Sequence, residues 1–294
     1  DYPPAPRVGH VMSNDLSPWA RSIAGERYAS TKLLLDYAKR ERYVCDYRAL
    51  QRYVKLGLVV SKVHRILEFD QSAWMRPYIE KNTDFRREAR NDFEKDFYKL
   101  LNNSVFGKTM EDVRKRTDIQ LVRPGTEAER LRKMIAKPTF DGRKIIDADL
   151  IAVQRRRQCV LLNKPVYVGV GVLDVSKTLM LDYWYDHIKP TYGDRARMLY
   201  TDTDSFVIEF QTPDIYADVA ANAERYDTSN FKTGALAAIA KAYPEREKAI
   251  GLFKDELGGR IVHSFVGLRP KCYSILAEGD KLISKSKGVQ SSVT

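Results

Sequence analysis

Two aspartates, Asp202 and Asp204, stand one residue apart in the run YTDTDSFVIE at residues 200–209. A pair of carboxylates at that spacing is suited to holding a divalent cation against a substrate phosphate. Met198 and Leu199 lead into the run, and Phe206, Val207 and Ile208 carry it on. Two β-forming apolar arms joined by a short polar TDTDS predict a tight hairpin. If the backbone stays extended through the acids, positions i and i+2 send both carboxylates to one face. An acidic surface turn is the competing reading, because Asp and Thr are ordinary turn residues.

A second set of reactive side chains lies about a hundred residues upstream. The stretch TDFRREARNDFEKDFYKLLNNSV at residues 83–105 predicts one long helix, with Thr83 or Asp84 as its cap and Phe93, Phe97, Leu100 and Leu101 at helical spacing. Arg87, Asn91, Lys95, Lys99 and Asn103 lie four apart, with roughly 40° of drift per step. That spacing predicts a basic and amide stripe opposite the apolar side, ended by Gly107. A plain solvated face is the usual fate of such a stripe.

The elements between and around these sets follow from local pattern. KPVYVGVGVLDV at residues 164–175 predicts a Val-rich strand whose two glycines mark a bend or a close backbone approach. Ser176 then caps a helix to about residue 188, with Leu179, Met180, Tyr183 and Trp184 available to pack on a sheet. Nearer the start, residues 31–42 predict a helix. Tyr47, Leu50, Tyr53 and Val54 give a further helical pattern, followed by the β-rich runs LGLVV and VHRILEF. Residues 108–163 are the most basic part, with VRKR, QRRRQ and the strand-like IQLVRP and CVLLN. After the hairpin, residues 211–249 read as polar and mostly helical. Residues 251–276 return to strands around Gly258 and Gly259, and KLISKSKGV forms a basic strand-like piece.

Composition narrows the partners. Among 294 residues, 50 Lys and Arg face 39 Asp and Glu, a net charge of +11 with a pI near 9.4. That balance favours a polyanion, nucleic acid first and an anionic membrane second, although net charge also serves solubility. No apolar run approaches a membrane span, and DYPPAPRVGH has no signal-peptide pattern. Without an initiator methionine, the chain is expected to be a processed product or a fragment. Cys45, Cys159 and Cys272 form no CxxC pair, and the four histidines are scattered, so neither a zinc site nor a disulfide framework is expected. The expected location is intracellular rather than secreted, with nucleus, cytoplasm and viral compartment all open.

Lys99, Asn103-Ser104 and Phe106-Gly107 in KLLNNSVFGK resemble the KxxxNSxYG motif of family B DNA polymerases. YTDTDS resembles the YxDTDS motif of that family, and LRPKCY at residues 268–273 looks like its KxY motif. The three stand in the family's order. DFYKLLNNSVFGKTME and KPVYVGVGVLDVSK are most similar to protein-primed polymerases of viruses and of large self-synthesising transposons of the Polinton or Maverick kind. The resemblance covers residues 43–289 and, more loosely, the first forty.

It implies an α+β fold, with a polymerase palm (an antiparallel sheet with packed helices), helical fingers and basic insertions. On that division residues 1–80 precede the fingers as a palm- or insertion-like region. Residues 81–107 are the fingers helix, 108–163 a basic insertion, 164–276 the palm, and 277–294 the start of a truncated thumb. It also implies template-directed addition of deoxynucleotides to a 3′-hydroxyl, in viral or mobile-element replication, assisted by two Mg2+ ions or by Mn2+ in their place.

The same resemblance assigns roles. Asp204 is the direct metal ligand and Asp202 the supporting acid of this catalytic pair. Lys99 takes the incoming triphosphate, and Lys95 and Arg87 extend that clamp by helix geometry. Asn103 and Ser104 lie at the nascent base pair. Phe106 and Gly107 face the sugar, and Phe in place of the family's Tyr keeps the steric wall. Lys271 and Tyr273 hold the primer strand, with Tyr200, Thr203 and Ser205 on the DNA-facing hairpin. The implied partners are a DNA primer-template, deoxynucleoside triphosphates and, on the resemblance alone, a terminal protein primer; no membrane partner is expected.

The departure from the family is upstream. Its DxxSLYP-like motif supplies another metal ligand, and neither DYPPAP nor NDLSPW fits it. The chain is therefore expected to be the carboxy-terminal part of a polymerase, holding half of the palm's chemistry and inactive alone. The alternative is a non-catalytic nucleic-acid-binding remnant, though decay would be free to erode Asp202, Asp204, Lys99 and Asn103. A reverse transcriptase or RNA polymerase typically has adjacent aspartates and leaves the NNSVFG helix unexplained.

Overall fold

The computed structural model describes residues 2–289, except for the side chain of Arg269. The chain is mixed α and β, 41% helical and 23% strand, so the α+β class stands as several small antiparallel sheets rather than one large one. It divides into two compact units, Asp1–Ala89 with Val170–Thr294, and Arg90–Gly169. The expected thumb at 277–294 lies partly outside the described residues.

The first unit begins with β1 (Arg7–Met12), α1 (Pro18–Ala24) and β2 (Ala29–Leu34). β1 and β2 pair antiparallel, with His10 opposite Thr31. Of the helix expected over 31–42, residues 31–34 lie instead in β2, because a complementary strand upstream outweighs local preference, and residues 35–42 form no helix or strand. α2 (Tyr47–Lys55) follows as predicted, capped by Asp46, whose carboxylate accepts the Arg48 N–H at 2.9 Å. LGLVV and VHRILEF form no strand; without a partner ladder, β-propensity alone does not make one. α3 (Arg76–Glu88) closes this part.

The second unit opens with α4 (Asp92–Thr109), then β3 (Asp118–Val122), α5 (Pro124–Ile135), β4 (Phe140–Asp147) and β5 (Leu150–Arg155). The sheet order is β3-β5-β4, and Val122, Met134, Ile151 and Val153 form its core under Leu131 and Phe140. The single helix expected over 83–105 is two. Pro77 sits in the first turn of α3, and the Thr83 hydroxyl donates back to the Ile79 carbonyl at 2.7 Å instead of capping. Ala89 is extended, and Asn91 caps α4 by accepting the Glu94 N–H at 2.8 Å. A second cap signal inside a periodic pattern therefore ends one helix and starts another. Gly107 lies within α4, which ends at Thr109. CVLLN forms no strand.

α6 (Val166–Asp182) occupies most of the expected Val-rich strand, and Ser176 lies inside it. Gly169 meets the close approach the pattern predicted: a Cβ there would fall 2.1 Å from Met110 Cγ. Asp174, buried on this helix, accepts the Asp46 N–H at 2.7 Å. These tertiary contacts decide for helix against the weak β-preference of valine. A π-helical segment (Tyr183–Ile188) and α7 (Lys189–Tyr192) continue it.

Then come β6 (Ala196–Asp202) and β7 (Ser205–Phe210), α8 (Ile215–Ala221), α9 (Gly234–Ala242), and the meander β8 (Val262–Arg269), β9 (Cys272–Ala277) and β10 (Lys281–Ser286). Gly258 and Gly259 both take positive φ, but they close a loop held by Asp255, not a hairpin. Tyr183, Trp184, Ile188, Tyr192 and Ala196 form the core of this part, with Met198, Phe206, Ile208 and Phe210 of the β6–β7 hairpin packed on it. Among the described residues no helix is long and apolar enough to cross a membrane, and the three cysteines are free thiols.

Candidate active site

β6 and β7 form the predicted hairpin, closed by Asp202 opposite Ser205 with Thr203 and Asp204 at its tip. The backbone does not stay extended through the acids. Thr203 has φ 57°, and the Asp204 N–H donates to the Asp202 carbonyl at 2.6 Å. That pattern is the rare, strained form of the γ-turn, and positive φ at a β-branched residue is an outlier. Strain of this kind costs about 1–3 kcal/mol and clusters at functional sites. The carboxylates therefore flank a kinked residue instead of sharing a flat face. The Thr203 hydroxyl donates to Asp202 Oδ1 at 3.2 Å, and the Ser205 hydroxyl to the Asp202 carbonyl at 3.2 Å.

A register shift between Met198 and Tyr200 bulges β6 just before the acids, and bulges re-aim side chains next to sites. The Tyr200 ring lies 5.1 Å from that of Tyr273 and 6.0 Å from that of Phe265. Its hydroxyl accepts the Lys271 N–H at 2.8 Å. Lys271 has φ 60° and follows Pro270 in the tip between β8 and β9, the pattern of a type II turn whose third position favours glycine. The Lys271 ammonium pairs with Asp202 Oδ2. YTDTDS and LRPKCY, apart in sequence, thus meet as two strained turn tips. Lys271 holds the Asp202 carboxyl below its ordinary range despite some burial, and Asp202 raises the Lys271 ammonium in turn. Sequence spacing missed this pairing and the Tyr200 bond; the motif order was its only trace.

In the second unit, α4 carries Lys95, Lys99, Asn103, Ser104, Phe106 and Gly107. Lys95 pairs with Asp92 at 3.0 Å. Lys99 is exposed, and among the described residues no carboxylate pairs with it. Arg87 departs from the predicted stripe: it sits on α3, bonded to Asp84 at 3.1 Å. Asn91 is a cap, so the stripe shortens to Lys95, Lys99 and Asn103. Phe93 and Leu100, expected on a packed apolar side, are 79% and 62% exposed.

Magnesium is usually bound by one or two carboxylates plus substrate phosphates, so Asp202 and Asp204 suit one ion in number and type. Among the described residues no group of three or more His, Cys, Asp or Glu is placed to hold an ion. Comparison with protein-family models, with curated proteins and with solved structures finds no match for the chain.

Proposed function

We propose that the chain carries part of the catalytic apparatus of a DNA-directed DNA polymerase of the family B kind, adding deoxynucleotides to a primer 3′-hydroxyl. The observation that carries this reading is the meeting of the YTDTDS and LRPKCY tips, since the resemblance requires these two motifs to act on one primer end. The strained Thr203 between the acids supports it, because such a turn is costly for a merely solvated loop.

In this reading Asp202 and Asp204 offer oxygens to magnesium, which supplies charge stabilisation at the transferring phosphate. Lys271 and Tyr273 hold the primer end, with Tyr200, Thr203 and Ser205 facing DNA. Lys99, helped by Lys95, binds the triphosphate of the incoming nucleotide as a cation, while Asn103, Ser104, Phe106 and Gly107 border its base and sugar. A terminal protein as primer belongs to the same proposal.

The test is primer extension with Mg2+, template and deoxynucleotides, using protein that carries this sequence in its natural reading frame. Asp204→Ala and Asp202→Ala are each expected to cost on the order of a hundredfold in rate, the scale for losing one group that stabilises transition-state charge. Extension by Asp204→Ala at the parent's rate overturns the assignment. DNA binding with no extension, in the parent as in the variants, supports a nucleic-acid-binding protein instead.

A further inference from the structure

The Lys271–Asp202 pair has a place in the site beyond holding two turns together. Lys271 places its ammonium on Asp202, one of the two acids of the hairpin tip. Each Asp202 carboxylate oxygen already has a partner, one on Lys271 and the other accepting from the Thr203 hydroxyl. Asp204 is exposed, and among the described residues its carboxylate has no recorded partner. A lone carboxylate in water is a weak magnesium site, so useful affinity needs Asp202 as well.

The pair is also built to be broken. The side chains are 51% and 26% exposed, and a solvent-exposed ion pair contributes little. A buried pair would commit the two charges to each other; this one competes with a divalent ion at small cost. The lysine is nevertheless placed by design of the turn. Its positive φ is costly without glycine, and the Tyr200 hydroxyl secures its backbone N–H.

We propose that Lys271 is the resting counter-cation of Asp202, which a divalent metal ion must displace before the two acids can act together. This rests on the metal-binding reading of the hairpin. Lys271 thereby sets the metal affinity of the hairpin, keeping Asp202 paired and the two turn tips joined until ion and substrate arrive.

The experiment titrates Mn2+ into the whole chain without DNA, following the free ion by electron paramagnetic resonance. Lys271→Gln is expected to bind Mn2+ about two- to fivefold more tightly than the parent, the factor set by losing one exposed ion pair. Lys271→Arg is expected to match the parent, and in an Asp202→Asn background the effect of Lys271→Gln disappears. Unchanged or weaker binding by Lys271→Gln, with an unaltered melting curve, overturns the proposal. If that variant melts early, Mg2+ is titrated into parent protein with 13Cε-labelled lysine. A Lys271 signal moving toward the free-lysine position supports displacement, and one that stays put overturns it. Should the parent and Asp202→Asn/Asp204→Asn bind Mn2+ equally, the metal reading of the hairpin fails, and this inference with it.

Discussion

Thr203 and Lys271 are non-glycine residues at positive φ, and each sits at the tip of a hairpin with its reactive groups toward the other. Asp202 joins them, and its depressed pKa with Lys271's elevated one defines a wide window. The pair is lost as pH falls through the Asp202 value or rises through the Lys271 value, so it stands throughout the neutral range. Lys99 is a different kind of residue, an exposed ammonium on a capped helix that pairs with no carboxylate among the described residues. In the polymerase reading, Lys99→Ala is expected to raise KM for deoxynucleotides about tenfold or more, the cost of one charge-assisted hydrogen bond. Steady-state extension measures KM, and DNA affinity should be kept. An equal loss of DNA binding shows that Lys99 contacts DNA or supports the fold.

At the scale of elements, caps and carboxylate clusters decide where helices stop. Glu111, just beyond α4, takes Arg116 Nε at 2.7 Å, Lys108 at 3.1 Å and Lys164 at 3.2 Å, tying the end of α4 to the approach to α6. Arg116 first, then Lys108, hold its carboxyl far below the ordinary range. The stabilisation is therefore present above the ordinary Glu pKa and lost as pH falls through the depressed value. Glu111→Gln is expected to lower Tm by ~2 °C at neutral pH, with the gap to the parent closing in strong acid. Scanning calorimetry across pH checks it; a constant gap removes the ionic explanation. α6 carries the opposite lesson. KPVYVGVGVLDV has the composition of a strand, yet most of it folds as helix, with Gly169 against Met110 and Asp174 under the Asp46 N–H.

For the whole molecule, charge is uneven. Arg90–Gly169 holds 18 Lys and Arg against 11 Asp and Glu, so this minority of the chain supplies most of the +11. Its RRR run is divided: Arg155 pairs with Asp118 and Arg156 with Asp141, while Arg157 is exposed. In the polymerase reading, DNA affinity falls steeply with salt, through counterion release. Arg157→Ala is expected to weaken binding to every sequence alike and to reduce the slope of log K against log salt by about 1. Fluorescence anisotropy between low and physiological salt measures the slope; an unchanged slope means that Arg157 is only solvated.

The β6–β7 hairpin, α2, β3, β10 and the basic balance were legible in the sequence, because each rests on neighbours: apolar arms around a polar tip, helical spacing, or a sum of charges. The split between α3 and α4 was half legible, since Asn91 and Glu94 spell a cap inside an otherwise continuous pattern. The β2 strand, the helical α6, and the failure of LGLVV and CVLLN to pair were not, because a strand needs a partner that local sequence does not name. The acids themselves were legible as residues and not as geometry. Their types and spacing, with the motif order, are what the polymerase reading rests on. Only the tertiary structure shows Thr203 kinked between them and Lys271 brought across 69 residues onto Asp202, because contacts at that separation follow from how distant apolar surfaces meet, here the Tyr200 ring against Phe265 and Tyr273.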